Sequence, residues 1–350
     1  MAKKNGGLVV RIATIIAIFI AIFIAMLCTR ILKFQLKECE IRQKIEHKLR
    51  TRNNNKKSSS SSNIRVLLCG MVRDEARKVK KMKLAARNML SYFSPTSHVL
   101  ILENDSKDDT RERLLEWSKE DENVKVIGCG LNEKICQLKT NKTINHEHAS
   151  GRINKMVLLR NETLRYIRMS EYSDVKYVIM FDFDRTDVPI YGLMNFIYEF
   201  EKNEKINAQC SLATNINGHY YDPYAHLGLD ESMFVCSSTR EIEQNLRMYG
   251  AGTGIYHVNS CFNGLTMYRR DALLNVEYCT VDVVGEKCEA GTDTSSEAVC
   301  EHVCMHSQME GVYLNTDVVS LDDRFSMQLW YTITDIKNKL NKLISLFLPK

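Results

Sequence analysis

Short runs of β-branched and aromatic residues alternate along the chain with longer stretches whose apolar positions recur every three to four residues. That alternation predicts strands and helices in turn. Residues 64–69 (IRVLLC) predict a first strand, 77–92 a long helix, 98–102 a second strand, 110–117 a helix and 124–127 a third strand. After an irregular insert at 129–150 comes a helix from Gly151 that carries Arg152, Lys155, Arg160 and Arg165. Val175 to Phe181 then read as a buried strand, too short for a helix and apolar at Tyr177, Val178, Ile179, Met180 and Phe181. A helix over 190–201 and a strand near 210–215 follow, after which the order becomes mixed.

Strand, helix, strand, helix, strand at the start of a domain predicts the nucleotide-binding half of a Rossmann-like α/β sheet. This domain is expected over residues 63–330. A short tail (1–7) and an apolar run (8–28) precede it, followed by a basic stem and Ser-rich linker (29–62); an amphipathic helix (331–350) closes the chain. Ile12 to Cys28 alone would span about 25 Å as a helix, so the run predicts a transmembrane signal anchor rather than a cleaved signal peptide. The final helix sets Ile333, Ile336, Leu340, Leu343, Ile344 and Phe347 on one face, to pack on the domain or lie on a membrane surface.

Charge is unevenly placed. Residues 1–62 hold 13 of the 48 Lys and Arg but 3 of the 43 acids, leaving 35 against 40 in the rest. A mildly acidic main domain argues against nucleic-acid binding, which needs a basic face. Basic residues just past the apolar run (Arg30, Lys33, Lys37, Arg42, Lys44, Lys48) favour a cytosolic domain. Ten cysteines beyond residue 62 and the sequons at Asn141 and Asn161 favour a lumenal one, as in a type II protein of the Golgi or endoplasmic reticulum. The lumenal reading is the expectation carried forward.

Chemistry concentrates at FDFDRTD, where the apolar strand ends in carboxylates. Asp182 and Asp184 form a D-x-D at the strand's C-terminal edge, where open α/β sheets bind ligands, and both can reach one Mn²⁺ or Mg²⁺ or one sugar phosphate. Glu103, Asn104 and Asp105, just past the second strand, are candidates for the base or ribose, while Ser106, Asp108 and Thr110 resemble a turn and helix cap. Arg73, Arg160, Asn263 and Gly264 complete the expected nucleotide-sugar contacts. Glu301 is a candidate catalytic base, with Asp222 as a second, and His302 a third metal ligand.

ENDSKDDT (103–110) resembles the corresponding stretch of GT-A glycosyltransferases. Together with GRINKMVLLRN (151–161), YYDPYA (220–225) and VNSCFNGL (258–265) it is similar to the cryptococcal capsule α-1,3-mannosyltransferase group over about residues 64–310. The resemblance implies a GT-A fold, a divalent metal, a nucleotide-sugar donor such as GDP-mannose, and a glycan or glycoprotein acceptor. FDFD departs from the less regular acidic motif expected there, and GEKCEAGTDTSSEAVCEHVCMH (285–306) looks closer to other GT-A proteins, which leaves the donor sugar open.

Three other readings stand beside it. VIMFDFDRT fits a haloacid-dehalogenase phosphatase, with Asp182 as nucleophile and Asp184 as acid/base, but three strands precede it where none should. Cys279, Cys288, Cys300, His302, Cys304 and His306 suggest a zinc module, yet their spacing is not a standard one, and disulfides or buried thiols suit them better. The third is a membrane-tethered sugar-binding protein without catalysis.

Overall fold

A computed structural model describes residues 63–128, 149–183, 190–214, 220, 222–230, 252–280 and 300–321. All of them fall in one compact unit spanning Leu49–Asp323. The apolar run at 8–28, the stem and the C-terminal amphipathic stretch lie outside the described residues. Among the described residues no helix is long and apolar enough to cross a membrane.

The strands are β1 (Val66–Val72), β2 (His98–Glu103), β3 (Val124–Gly128), β4 (Tyr177–Phe181), β5 (Ala208–Thr214), β6 (Ile255–His257), β7 (Leu265–Arg269) and β8 (Val312–Leu321). The helices are α1 (Val79–Leu90), α2 (Thr110–Glu120), α3 (Ala149–Ile167), α4 (Ile190–Lys202) and α5 (Glu301–His306). One eight-stranded sheet runs in the order β3-β2-β1-β4-β7-β5-β8-β6. Its first four strands are parallel, β7 enters antiparallel between β4 and β5, and β6 closes the far edge antiparallel to β8.

Strand alternation sorts the side chains into two cores. Leu67, Cys69, Val178 and Met180 face α3 and α5, whereas Val66, Leu68, Ile179 and Phe181 face α1, α2 and α4. Because helices cover both faces, the strands read as near-continuous apolar runs, and β4 is buried at all five positions.

The structure extends the expected first strand to Val72, because Gly70 and Met71 continue the ladder opposite Ile101 and Leu102. The helix expected at 77–92 is shorter: Ala76–Lys78 form a 3-10 turn before α1 begins. Gly151 does not open its helix, which starts at Ala149. β6, β7 and β8 were not among the expected strands.

Gly311 joins α5 to β8 at φ +69°, and its carbonyl accepts from the N–H groups of Asn207 and Ala208 at 2.8 and 3.1 Å. A Cβ there would stand 1.9 Å from the Lys205 carbonyl oxygen. Gly311→Ala is expected to lower stability by about 2 to 3 kcal/mol, read as a drop in the urea midpoint without loss of far-ultraviolet helix and strand signal.

Candidate functional site

The site grows from the end of β4. Phe181 pairs with Leu265, and the Asp182 N–H donates to the Gly264 carbonyl at 2.9 Å. Asn263 (φ 56°) and Gly264 (φ 73°) are both left-handed, and Leu265 N–H returns to the Phe262 carbonyl at 3.2 Å. That is the Asn-Gly turn that tight hairpin-type connections favour. The Asn263 side-chain amide donates to the Ser211 carbonyl at 2.8 Å and to the Tyr220 hydroxyl at 2.5 Å. Asn263 and Gly264, expected to touch the donor, thus also hold the backbone of Asp182.

Phe181 and Phe183 are buried together in one core, so Asp182 projects to the opposite face. There it lines a narrow cleft with Cys69, Gly70 and Met71 of β1, Met180, Phe181, and Arg160 and Thr163 of α3. β2 and β3 lie to one side of β1 and β4 to the other, so the cleft sits where strand order reverses. Asp184 lies outside the described residues, as does the side chain of Arg152.

Arg160, expected to be a donor contact or a solvated surface cation, is buried. Its Nε donates to Glu301 Oε1 at 2.9 Å, tying α3 to α5. Its guanidinium lies 4.8 Å from the centroid of the Phe262 ring and 5.5 Å from that of Tyr278. Glu301 is only 5% exposed, and its other oxygen accepts from the Cys300 thiol at 3.6 Å. Burial, then the Glu301 and Asp222 charges, push the Cys300 thiol well up, which places Asp222 in the same neighbourhood. Asp222 is half-buried, and its carboxylate accepts from Ala225 N–H at 3.3 Å.

His302 is 1% exposed, stacked on Phe262 at 4.0 Å and edge-on to Tyr278 at 5.3 Å. Among the described residues neither ring nitrogen has a hydrogen-bond partner. Burial first, then the Arg160 charge, hold its pKa well below the ordinary histidine range, so the ring is neutral. His306, one turn on, bonds Ser260 and Tyr268, each at 2.9 Å, and burial pulls it down to about 3.

Glu103, Asn104 and Asp105 sit at the same sheet edge, at the end of β2. Glu103 is fully buried, accepting from Arg111 Nε and from Ser106 N–H, both at 2.6 Å. Asp105 (φ 51°) also meets Arg111, at 3.2 Å, and Asn104 N–H donates to the Val72 carbonyl at 2.9 Å. Asp108 Oδ1 accepts from Thr110 N–H at 3.1 Å at the start of α2, as expected of a cap, and the same residues also clamp two loops together. Ser106 Oγ, Thr110 Oγ1 and Asp108 Oδ2 accept from the backbone N–H groups of Asp74, Glu75 and Ala76 at 3.0, 2.8 and 3.1 Å. Arg73 is exposed beside Asp74 at 3.3 Å, and its charge adds to burial in lowering the pKa of Lys155.

Among the described residues no zinc module forms from the late cysteines, since Cys279 is joined to Cys304, and Cys288 lies outside them; a disulfide also links Cys210 to Cys261. Among the described residues no three His, Cys, Asp or Glu side chains converge as metal ligands. The residues of the expected metal set nonetheless fit a divalent ion in kind. Asp182 supplies hard carboxylate oxygen, and His302 is neutral with both nitrogens unpartnered.

The family model described as Cryptococcal mannosyltransferase 1 matches residues 65–298, and the chain belongs to this family. The phosphatase and zinc readings fall away with that assignment. No curated protein sequence matches the chain. Among solved structures, S. aureus TarS 1–349 in complex with UDP is similar at 11% identity and a TM-score of 0.42, over 75% of this chain and 61% of that one. The chain thus spans about three fifths of that structure's length. Mannosyltransferase PcManGT from Pyrobaculum calidifontis, in complex with GDP-Man and Mn²⁺, shares 12% identity at a TM-score of 0.41, over 83% and 67%. GalNAc-T7 with UDP, GalNAc and Mn²⁺ shares 13% identity at 0.42, over 74% and 43%.

The Arg160–Glu301 pair is buried, so removing one partner strands the other's charge. Glu301→Ala is expected to cost about 3 to 5 kcal/mol in urea denaturation, whereas the double change Arg160→Met with Glu301→Leu recovers most of that loss.

Proposed function

We propose that the protein is a GT-A-type glycosyltransferase that moves a hexose, with mannose the first candidate, from a nucleotide-sugar donor to a glycan or glycoprotein acceptor. The observation that carries this reading is the position of Asp182, at the end of a fully buried strand and in the cleft where strand order reverses. Asp182, Asp184 and His302 would hold Mn²⁺ or Mg²⁺. A divalent ion bound there offsets the negative charge that develops on the departing diphosphate.

The chain's own residues do the rest. Arg73, Asn104 and Asp105 follow the ends of β1 and β2 at the same sheet edge and would receive the nucleoside end of the donor. The buried Arg160–Glu301 pair holds α5 against α3, which fixes the wall carrying His302. As the acceptor hydroxyl attacks the anomeric carbon, the bond to the diphosphate oxygen breaks and the hydroxyl proton passes to a carboxylate. Asp222 takes that role more readily than Glu301, because both Glu301 oxygens already accept from Arg160 and Cys300. A positioned base of this kind contributes about 10² to 10⁴ in rate.

The test is transfer and donor hydrolysis by residues 63–350 with a panel of nucleotide sugars, with and without Mn²⁺. Asp182→Asn and Asp184→Asn are each expected to abolish metal-dependent turnover while leaving the melting temperature within a few degrees of the parent. Parent-level turnover in both would remove the proposal. Metal-dependent binding of donor with neither hydrolysis nor transfer would favour a sugar-binding protein instead.

We also propose a single-pass anchor at residues 8–28 with the catalytic domain in the lumen. The disulfides Cys210–Cys261 and Cys279–Cys304 support an oxidising compartment. The sequon at Asn161 gives less support, since its amide is bonded to both the carbonyl and the N–H of Tyr278 at 2.8 Å. In sealed microsomes the domain should resist added protease until detergent is present; digestion without detergent would place it in the cytosol.

A further inference from the structure

The residue between the two acids, Phe183, is completely buried, although it follows the end of β4. It joins the core formed by Val66, Leu68, Phe181, Leu193 and Leu265, and its ring meets Phe181 edge-on at 5.4 Å. What makes room for it is Gly70, in the middle of the neighbouring strand. A Cβ built on Gly70 would stand 2.3 and 2.6 Å from Cδ2 and Cε2 of the Phe183 ring, and 2.3 Å from the Phe181 carbonyl oxygen. The ring edge therefore occupies the space that any other residue at position 70 would fill. Gly70 is not among the residues with positive φ, so its small size, not a special backbone conformation, is what the position uses.

We infer that Phe183 is a positioning residue: its ring, seated on the bare backbone of Gly70, fixes the chain direction from which Asp182 reaches the cleft. Asp182 is then bracketed. Its own N–H is pinned to the Gly264 carbonyl, and the residue after it is locked into the core of β1. With Phe181 and Phe183 held on one face, the carboxylate between them is held on the other, facing Arg160 and Thr163. A flexible acidic loop would have to order itself each time a cation and diphosphate bind, whereas a bracketed one is already ordered. The inference rests on the proposed role of Asp182.

The test compares Phe183→Ala and Phe183→Leu with Phe93→Ala, a core truncation beyond the C-terminus of α1, at the opposite end of the strands. Each is titrated by calorimetry with GDP and with UDP in the presence of Mn²⁺, alongside a melting curve. Phe183→Ala is expected to weaken Mn²⁺-dependent nucleotide binding by about tenfold or more, and Phe183→Leu to recover most of it. Phe93→Ala should lower the melting temperature comparably and leave the affinity unchanged. If Phe183→Ala does not fold, Phe183→Val, a milder truncation that still vacates most of the ring's space, takes its place with the same expectation. Unchanged affinity in the Phe183 variants, or an equal loss in Phe93→Ala, would overturn the inference. Asp182→Asn in the same titration separates the two claims: if it binds like the parent, the role of Asp182 fails; if it alone loses binding, only the role of Phe183 does.

Discussion

Everything around the cleft follows from the confinement of β4. Its five residues are buried on both faces, and both of its edges are paired, to β1 on one side and β7 on the other. A carboxylate cannot be carried into such surroundings without a partner, because desolvation of the charge would far exceed any packing gain. The first acid can appear only where the strand emerges, and the half-buried Asp182 stands at that boundary. β7 determines how sharply it emerges, since the Asn263–Gly264 turn that begins β7 supplies the carbonyl that holds Asp182.

The opposite wall is built on a different balance. Arg160 and Glu301 are both withdrawn from water, and neither charge would be tolerated there alone. Phe262 and Tyr278 present ring faces to the guanidinium, and the Cys300 thiol supplies the carboxylate's remaining hydrogen bond. Such a closed set costs desolvation but leaves few alternative arrangements, so α5 has one seat against α3. His302 sits on that helix, and among the described residues neither of its ring nitrogens has a hydrogen-bond partner.

The parallel half of the sheet was legible from the chain because its strands are short apolar runs separated by amphipathic helices, and β2, β3 and β4 fall within a residue or two of their expected limits. The position of Asp182 was legible for the same reason. The antiparallel half was not. β7 (LTMYR) is five residues long and gains its identity from two neighbours distant in sequence, while the polar Asn315, Thr316 and Asp317 interrupt the apolar pattern of β8. The roles of Asn263 and Gly264 were half visible: Asn-Gly was a turn signal, read instead as a ligand contact. Glu103 and Glu301 were recognisable as acids near the site, but nothing in their local sequence names Arg111 or Arg160 as a partner. The Phe183–Gly70 contact was equally hidden, since it joins a residue inside β1 to one just past the end of β4.

The sheet order carries a consequence for how the chain is made. Arg160 and Glu301 are 141 residues apart, and β8, the last strand among the described residues, lies inside the sheet between β5 and β6. A nascent chain that has emerged only as far as α4 can pair β1 to β4, yet it holds Arg160 without its counter-charge, and the β4 edge that β7 will cover is still open. Until β7 leaves the ribosome, the growing polypeptide presents that unpaired edge, the kind of surface on which chaperones and neighbouring chains compete. Truncation ahead of β7 would therefore strand the whole domain at that stage, not merely remove one wall of the cleft.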